Sequence, residues 1–284
     1  MKVIYDVPAP AKLNVFLHVV GRRADGYHLI QSVFMLIDWC DTLHFELRKD
    51  GQISRSDLQR ATDSALPAED LTVRAAKALQ AACGTPFGVD ISLEKRIPSQ
   101  AGMGGGSSDA ASCLLALQRL WGVELPQKKL MAVALSLGAD VPFFMFGGNA
   151  WAEGVGDLLT PMNLPLADFV VIKPRSGLST QAIFSSPRLK RDTETATIES
   201  FARESQEHTF EFGCNDLQPI AEALCPEISQ SLEWLLSAGL KGRMTGSGSA
   251  VFARLPCDLE LPVAASEWEV RKCRSLQTHP LAGW

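Results

Sequence analysis

Between Pro98 and Leu115 the chain reads PSQAGMGGGSSDAASCLL. Gly102, Gly104, Gly105 and Gly106 crowd together there and run straight into Ser107, Ser108, Asp109 and an Ala/Leu-rich segment. Glycine is costly to order, yet the residues that follow, Ala110, Ala111, Leu114, Leu115 and Leu117, favour helix. The pattern predicts a loop feeding a helix N-terminus. Successive N–H groups can converge there without Cβ obstruction, beside the positive end of the helix dipole, and phosphate is the natural ligand of such a cradle. A flexible turn with a capping Ser or Asp is the plainer alternative, but it does not account for the glycine density.

Spacing excludes two familiar cradles. A Walker A loop needs Gly-Lys-Ser/Thr five residues after its first glycine, and Ser107 stands there with no Lys after it. A dinucleotide fingerprint starting at Gly102 and Gly104 again meets Ser107 in the last glycine position, and no strand-end acid follows about twenty residues on.

A length of 284 residues allows one or two domains, and 46% hydrophobic with 21% charged residues is an ordinary globular composition. The net charge of −5 provides no global basic field, so neither nucleic acid nor an anionic membrane is an expected partner. The seven cysteines are scattered without CxxC spacing, fit neither a disulfide framework nor a zinc site, and read as reduced and mostly buried. The start MKVIYDVPAP lacks the long apolar stretch of a signal peptide, and no eighteen-residue apolar run is present. A cytoplasmic location is expected; the oligomeric state is not specified by any of these features.

Along the chain, residues 3–7 and 13–20 read as two strands broken by Pro8 and Pro10. Alternation places Lys12 and Asn14 on one strand face and Leu13 and Val15 on the other. A polar turn, Gly21 to His28, leads to strands at 29–37 and 42–47, with a polar loop at 52–64 and a further strand at 88–93. Helices are expected at 71–82, from the glycine loop to about Trp121, and at 127–137. Pro142 biases Val141 to extended geometry, so Asp140 is expected at a helix-to-strand corner beside a buried apolar run. An Asx turn or a cap is the less favoured alternative for Asp140. Gly147-Gly148 and Gly154 to Asp157 mark a domain boundary, giving units 1–156 and 157–284, with a strand at 149–153 between the glycine pairs. The second unit reads as a strand at 169–173, a short helix at 179–184, a mobile insertion from Arg188 to His208 and a long helical region at 217–237 interrupted at Pro226. A second glycine turn, Gly242 to Ala250, precedes a strand at 251–254, and 268–273 is strand-like.

Several of these segments resemble the GHMP kinases. The glycine loop is similar to the family motif P-x-x-x-G-L-G-G-G-S-S-x-A, with Met103 in place of the usual Leu. Pro10-Ala11-Lys12-Leu13-Asn14 resembles a PAKxN opening, Gly138 to Phe144 a GxDVPFF stretch, and Met244 to Ala253 the third motif MSGSGxxxFA. Glu69 to Ala76 resembles ENLVxRAA, with Asp70 replacing Asn. The string RRADGYHLIQSVF resembles the RxDGYHxLxS signature of one branch, whose Tyr and His bind the cytosine end of the substrate.

The resemblance implies an α+β, two-domain fold, with a ribosomal protein S5 domain 2-like N-terminal domain and a ferredoxin-like C-terminal domain, and ATP and substrate in the cleft between them. It implies transfer of the ATP γ-phosphoryl group, with Mg2+, to the 2-hydroxyl of a cytidine diphosphate-linked methylerythritol, a small-molecule partner. Lys12 and Asp140 are then the catalytic pair. The nucleotide falls to Pro98, Ser99, Gln100, Ala101, Gly102, Met103, Gly104, Gly105, Gly106, Ser107 and Ser108, together with Asp70, Leu71 and Lys95. The other substrate falls to Asn14, Tyr27, His28, Thr180 and Phe184, with Phe184 as the wall opposite Tyr27. A homoserine- or mevalonate-type kinase would share the glycine loop but has no reason to keep Tyr27-His28 after Arg-Ala-Asp-Gly. A non-catalytic nucleotide- or sugar-binding regulator on the same fold also stays open.

Overall fold

The computed structural model describes residues 2–59, 66–203, 208–257 and 259–284. Its spine is β2, His28–Arg48, which pairs antiparallel along one edge with β1, Val3–Arg22. The other edge of β2 is shared. Residues Ser32–Phe34 take β5 (Ala150–Glu153), Leu36 and Ile37 take β10 (Glu269–Leu276), and Thr42–Arg48 take β4 (Gly88–Glu94). Beyond β4 lies β3, Ile53–Gln59, parallel to it; beyond β10 lie β7 (Asp168–Lys173), β9 (Val251–Arg254) and β8 (Arg243–Met244). β6, Leu158–Pro161, pairs back on β5. One sheet therefore runs through both halves of the chain, joined where β10 meets the middle of β2.

The expected strand break at Pro8 and Pro10 does not occur. Among the described residues β1 has only β2 as a ladder partner, so on its other edge the missing N–H groups of Pro8 and Pro10 do no harm. What does happen there is a register irregularity between Pro10 and Lys12, which places Lys12 opposite Leu36. Before it, Val7 and Ala9 face the core built with the first four helices; after it, Ala11, Leu13 and Val15 belong to a different cluster. Because side-chain direction alternates with every residue, this irregularity turns Lys12 and Asn14 onto the helix side of the sheet. The expected strands at 29–37 and 42–47 are likewise one strand, and the polar loop expected at 52–64 holds β3, while residues 60–65 lie outside the described residues.

On that helix side pack α1 (Leu71–Cys83), α2 (Gly105–Trp121), α3 (Gln127–Leu137) and α4 (Val141–Phe146). Gly84 ends α1 in a left-handed conformation, its N–H returned to the Gln80 carbonyl. Alternation along β7 sorts its side chains: Phe169 and Val171 join a central cluster with Trp39, Trp151 and Phe252, while Val170 and Ile172 pack under α5 (Thr180–Phe184), α7 (Gln218–Leu224) and α8 (Pro226–Ser237). The stretch expected to be a mobile insertion is packed in its described part. Leu189 and Phe201 are buried, the latter on α6 (Ile198–Ala202), and Gln31 exchanges hydrogen bonds with the Ala196 backbone at 3.1 and 2.9 Å. A five-residue helix is too short to print a period, so the sequence pattern gave no sign of it. All seven cysteines are free as expected, but Cys214 and Cys257 are exposed.

Candidate active site

Two glycine motifs, distant in sequence, close on one another and set the floor of a cleft of about 810 Å³. Gly102 has φ of +71°, and a Cβ there would lie 2.2 Å from the Thr245 carbonyl oxygen. The fit is reciprocal, since a Cβ on Gly246 would meet the Gly102 carbonyl oxygen at 2.6 Å. Ser249 and Ala250 donate their N–H groups to the Gln100 and Ala101 carbonyls at 3.0 and 3.2 Å. Glycine is needed at these positions for close approach of backbone to backbone, and the result fixes where the second motif sits.

From that anchor the loop turns into α2. Gly104, with φ of +71°, is the N-cap and offers no side chain, and no side-chain capping bond is present at this end among the described residues. The first-turn N–H groups, which have no partners inside the helix, are thus left for a ligand at its positive end. Beneath the loop lies a buried charged triad. Lys95 donates to Asp109 at 2.7 Å and to Asp41, and the other Asp41 oxygen accepts from the N–H groups of Arg96 (2.5 Å) and Ile97 (2.8 Å). Burial pulls the Lys95 ammonium down, but Asp109 and Asp41 together overcome it and hold its pKa above the usual lysine range. Burial, with the Asp41 charge adding to it, pushes the Asp109 carboxyl well up despite Lys95. The triad clamps the strand end before the loop to the helix after it.

Lys12 enters from β1. It is 3% exposed, donates to Asn14 Oδ1 at 2.5 Å, stands 4.8 Å from the Phe34 ring centroid and lies 3.7 Å from Asp140 Oδ2. Its pKa is lowered by burial, with Asp140 opposing. Asn14 is held in turn, donating its amide to Ser32 Oγ and its N–H to Thr245 Oγ1, each at 2.9 Å. Asp140 precedes a helix rather than the expected strand. Val141 and Pro142 are the first two residues of α4, where proline's missing N–H is not needed. The Asp140 carboxylate makes no capping bond and its side chain is 35% exposed, so it is available to the cleft.

The same cleft is lined by Pro98 to Ser107, Asp70, Leu71, Lys95, Lys12, Asn14, Asp140, Thr180 and Phe184. Ser108, Tyr27 and His28 stand outside this lining: Ser108 is buried with an unpartnered hydroxyl, Tyr27 is 64% exposed and His28 is half-buried. Asp70 caps α1, accepting from Val73 N (3.1 Å) and Thr72 Oγ1 (2.7 Å), and pairs with Arg55 at 2.9 Å. Thr180 meets Ser247 hydroxyl to hydroxyl at 2.7 Å, tying the start of α5 to the third motif. Phe184 lies against His28, with ring centroids 4.9 Å apart. Sequence reasoning missed Phe34, Asp41, Thr245 and Arg191, whose Nε donates to His28 Nε2 at 2.9 Å. Asp41 and Arg191 carry no motif; Thr245 sits inside the third motif and could have been read from it.

Models of the GHMP kinases match the chain twice, the N terminal domain over residues 70–148 and the C terminal domain over residues 194–261. A 4-diphosphocytidyl-2-C-methyl-D-erythritol kinase of Polaromonas sp. (strain JS666) is 69% identical, the match covering 100% of this chain and 95% of that one. A relative of the same name from Acidovorax sp. (strain JS42) is 59% identical over 100% and 99%. The crystal structure of a 4-(cytidine 5'-diphospho)-2C-methyl-D-erythritol kinase superposes with a TM-score of 0.73 at 36% identity, covering 87% of this chain and 88% of that one. A homoserine kinase from Cytophaga hutchinsonii, 16% identical with a TM-score of 0.69 over 98% and 96%, shares the fold. The fold is therefore the two-domain α+β GHMP kinase fold, with a ribosomal protein S5 domain 2-like N-terminal and a ferredoxin-like C-terminal domain. The chain is a small-molecule kinase and belongs to the 4-diphosphocytidyl-2-C-methyl-D-erythritol kinases, a branch of the GHMP kinases.

Proposed function

We propose that the chain phosphorylates the 2-hydroxyl of 4-diphosphocytidyl-2-C-methyl-D-erythritol with ATP, giving the 2-phosphate and ADP, in isoprenoid precursor biosynthesis. The single observation that carries this is the convergence in one cleft of an uncapped α2 N-terminus and the Lys12–Asp140 pair at 3.7 Å. Phosphoryl transfer asks for charge stabilisation at the phosphates, positioning, and a group that takes the proton of the attacking hydroxyl.

Each need has a residue. The N–H groups from Gly104 to Ser107 receive the phosphates. Asp140, the exposed member of the pair, accepts the hydroxyl proton while that oxygen attacks the γ-phosphorus and ADP leaves. Lys12, aimed by Asn14 and Phe34, stabilises the developing alkoxide. Lys95 serves the nucleotide indirectly, because its ammonium is already engaged by two carboxylates. Tyr27, His28, Thr180 and Phe184 form the cytidine end. The division into an N-terminal unit, 1–156, and a C-terminal unit, 157–284, is part of the proposal.

Mg2+ fits the donor set as an ion carried on the nucleotide. Among the described residues no group of three acidic, cysteine or imidazole side chains could hold a metal by itself. The Ser107 side chain in the cleft wall and an Asp109 carboxylate oxygen without a hydrogen-bond partner are the groups that would hold it against α2. Bound there, Mg2+ would neutralise phosphate charge, while keeping most of its ligands as phosphate oxygens and water. The test is phosphorylation of a panel of alcohols with ATP, read as ADP release and as gain of one phosphate by mass spectrometry. Turnover of the cytidine-linked alcohol in preference to homoserine and mevalonate is expected. Preference for either of those two, or ADP release indifferent to every alcohol, would overturn the assignment.

A further inference from the structure

Arg191 joins two segments that no sequence motif connects. Its guanidinium spans four acceptors: Nε donates to His28 Nε2 at 2.9 Å, Nη1 to the Leu189 carbonyl at 2.9 Å, and Nη2 to the Phe184 and Ser186 carbonyls at 3.1 and 2.8 Å. The side chain therefore ties the imidazole of His28 to the segment that carries Phe184, whose ring lies 4.9 Å from the imidazole at an interplanar angle of 36°.

Guanidinium is always protonated and can only donate. An imidazole nitrogen that accepts from it must present its lone pair, so the His28 proton is confined to Nδ1. The cationic form would set an N–H against an N–H and place like charges together. Burial, then Arg191 on its own segment and Arg22 on β1, push the His28 pKa below the ordinary value, in agreement with that constraint.

Building on the assignment of the cytidine end to Tyr27 and His28, we infer that Arg191 is the specificity-determining positioning residue for the base. It fixes His28 as a neutral donor at Nδ1, which pairs with the acceptor N3 of cytosine and meets a second donor at the N3–H of uracil. Neither Tyr27 stacking nor the diphosphate can tell these bases apart, since both bases offer a π-face and the same phosphates. A fixed donor can, because the wrong base leaves two N–H groups unpaired in the site.

The first test needs no variant. In 15N-histidine-labelled enzyme at pH 7, the imidazole shifts of His28, assigned by their loss in His28→Gln, should report a neutral ring with the proton on Nδ1. A proton on Nε2, or an imidazolium, overturns the inference. The second compares kcat/KM for cytidine and uridine diphosphate-linked methylerythritol. Wild type should prefer the cytidine compound by at least about 100-fold, as sites that leave a polar group unpaired do. Arg191→Met frees His28 to change tautomer, and the preference should fall below about tenfold, through a higher KM for the cytidine compound, with KM for ATP unchanged. Arg191→Lys, which can still donate to Nε2, should restore much of the preference. A thermal melt identifies any unfolded variant, in which case the wild-type tautomer alone decides. A folded Arg191→Met enzyme that keeps the full preference overturns the inference. Failure of the wild type to phosphorylate either compound would instead overturn the proposed function, with the tautomer measurement unaffected.

Discussion

Two glycines of one loop should fail in opposite ways, and the structure sets the size of each failure. At Gly102, φ is +71° and a Cβ would stand 2.2 Å from Thr245 O and 2.8 Å from Gly248 N. Gly102→Ala pays about 1–2 kcal/mol for a left-handed L-residue. The two backbones must also part by about 1 Å to reach ordinary contact, an overpacking cost of roughly 1–3 kcal/mol. A total near 2–5 kcal/mol corresponds to a fall in Tm of roughly 3–8 °C for a chain of this size. Gly106 is the reverse case. It is exposed, its φ is not positive, and a Cβ there would meet only Leu71 Cδ1, at 3.4 Å. Gly106→Ala should therefore leave Tm unchanged or raise it, since alanine gains roughly 1 kcal/mol of helix preference. Its methyl would intrude where phosphate meets the N–H groups, so KM for ATP should rise at least about tenfold, or roughly 1.4 kcal/mol. Differential scanning calorimetry and steady-state kinetics on both variants separate the roles. A Gly102→Ala enzyme that melts with wild type would refute the locking of the two motifs, and a Gly106→Ala enzyme with wild-type KM for ATP would refute the cradle.

Other perturbations follow from the same geometry. Asp140→Asn should lower kcat by about 10²–10⁴ with KM for ATP preserved, and retention of more than about a tenth of kcat would remove the base assignment. Since burial lowers the Lys12 pKa, the alkaline limb of the kcat/KM profile should lie below the ordinary lysine value of 10.5, and a limb above it would show that Lys12 is not the titrating group. Asp41→Ala removes the acceptor of Lys95, Arg96 N and Ile97 N and leaves Lys95 with one carboxylate, so chemical denaturation should show a loss of about 3–5 kcal/mol. The His279 pKa is pushed down by burial to about 4. Below its unfolded value near 6.5 the unfolded chain binds a proton that the folded chain refuses, so stability should fall as the pH drops from about 6.5 to 4, by up to about 3 kcal/mol. A His279→Leu variant should lack that part of the acid sensitivity, and an unchanged acid profile would contradict it.

What the sequence made readable was local chemistry. The loop-to-helix step at 102–105 and the alternation that pairs Lys12 with Asn14 follow from rules acting over a few residues, and each stands in the structure as expected. The errors arose where a neighbour decides. Pro8 and Pro10 break a strand only if its N–H groups are needed, and on the edge strand β1 they are not. Pro142 speaks for extended geometry at Val141 unless the pair occupies the first turn of a helix, as it does in α4. Arg191 and Asp41 sit in stretches with no period or motif, and their importance appears only when β2 is brought alongside residues far away in the chain.

The glycines show why a motif can be found without its reasons. From sequence, all four share one explanation, freedom for N–H groups to converge on phosphate. In the fold they divide. Gly102 is required by the third motif pressing on it, Gly104 by a left-handed cap with Phe144 at 3.0 Å, and Gly105 by Ile97 beneath, at 2.9 Å, with no positive φ. Only at Gly106 would a Cβ meet nothing closer than ordinary contact, Leu71 Cδ1 at 3.4 Å, so only there does ligand approach remain as the reason for glycine. Three of the four therefore act on the shape of the cradle, and one on its mouth. A loop built in this way cannot be moved by a single contact. Its position is set jointly by the third motif, the Asp41–Lys95–Asp109 triad and the Lys12 N–H, which donates to the Met103 carbonyl at 3.0 Å. That last bond runs from the backbone of a proposed catalytic residue to the backbone of the loop. The distance between the phosphates and the Lys12–Asp140 pair is thereby a property of the main chain, which is the accuracy that an in-line transfer demands.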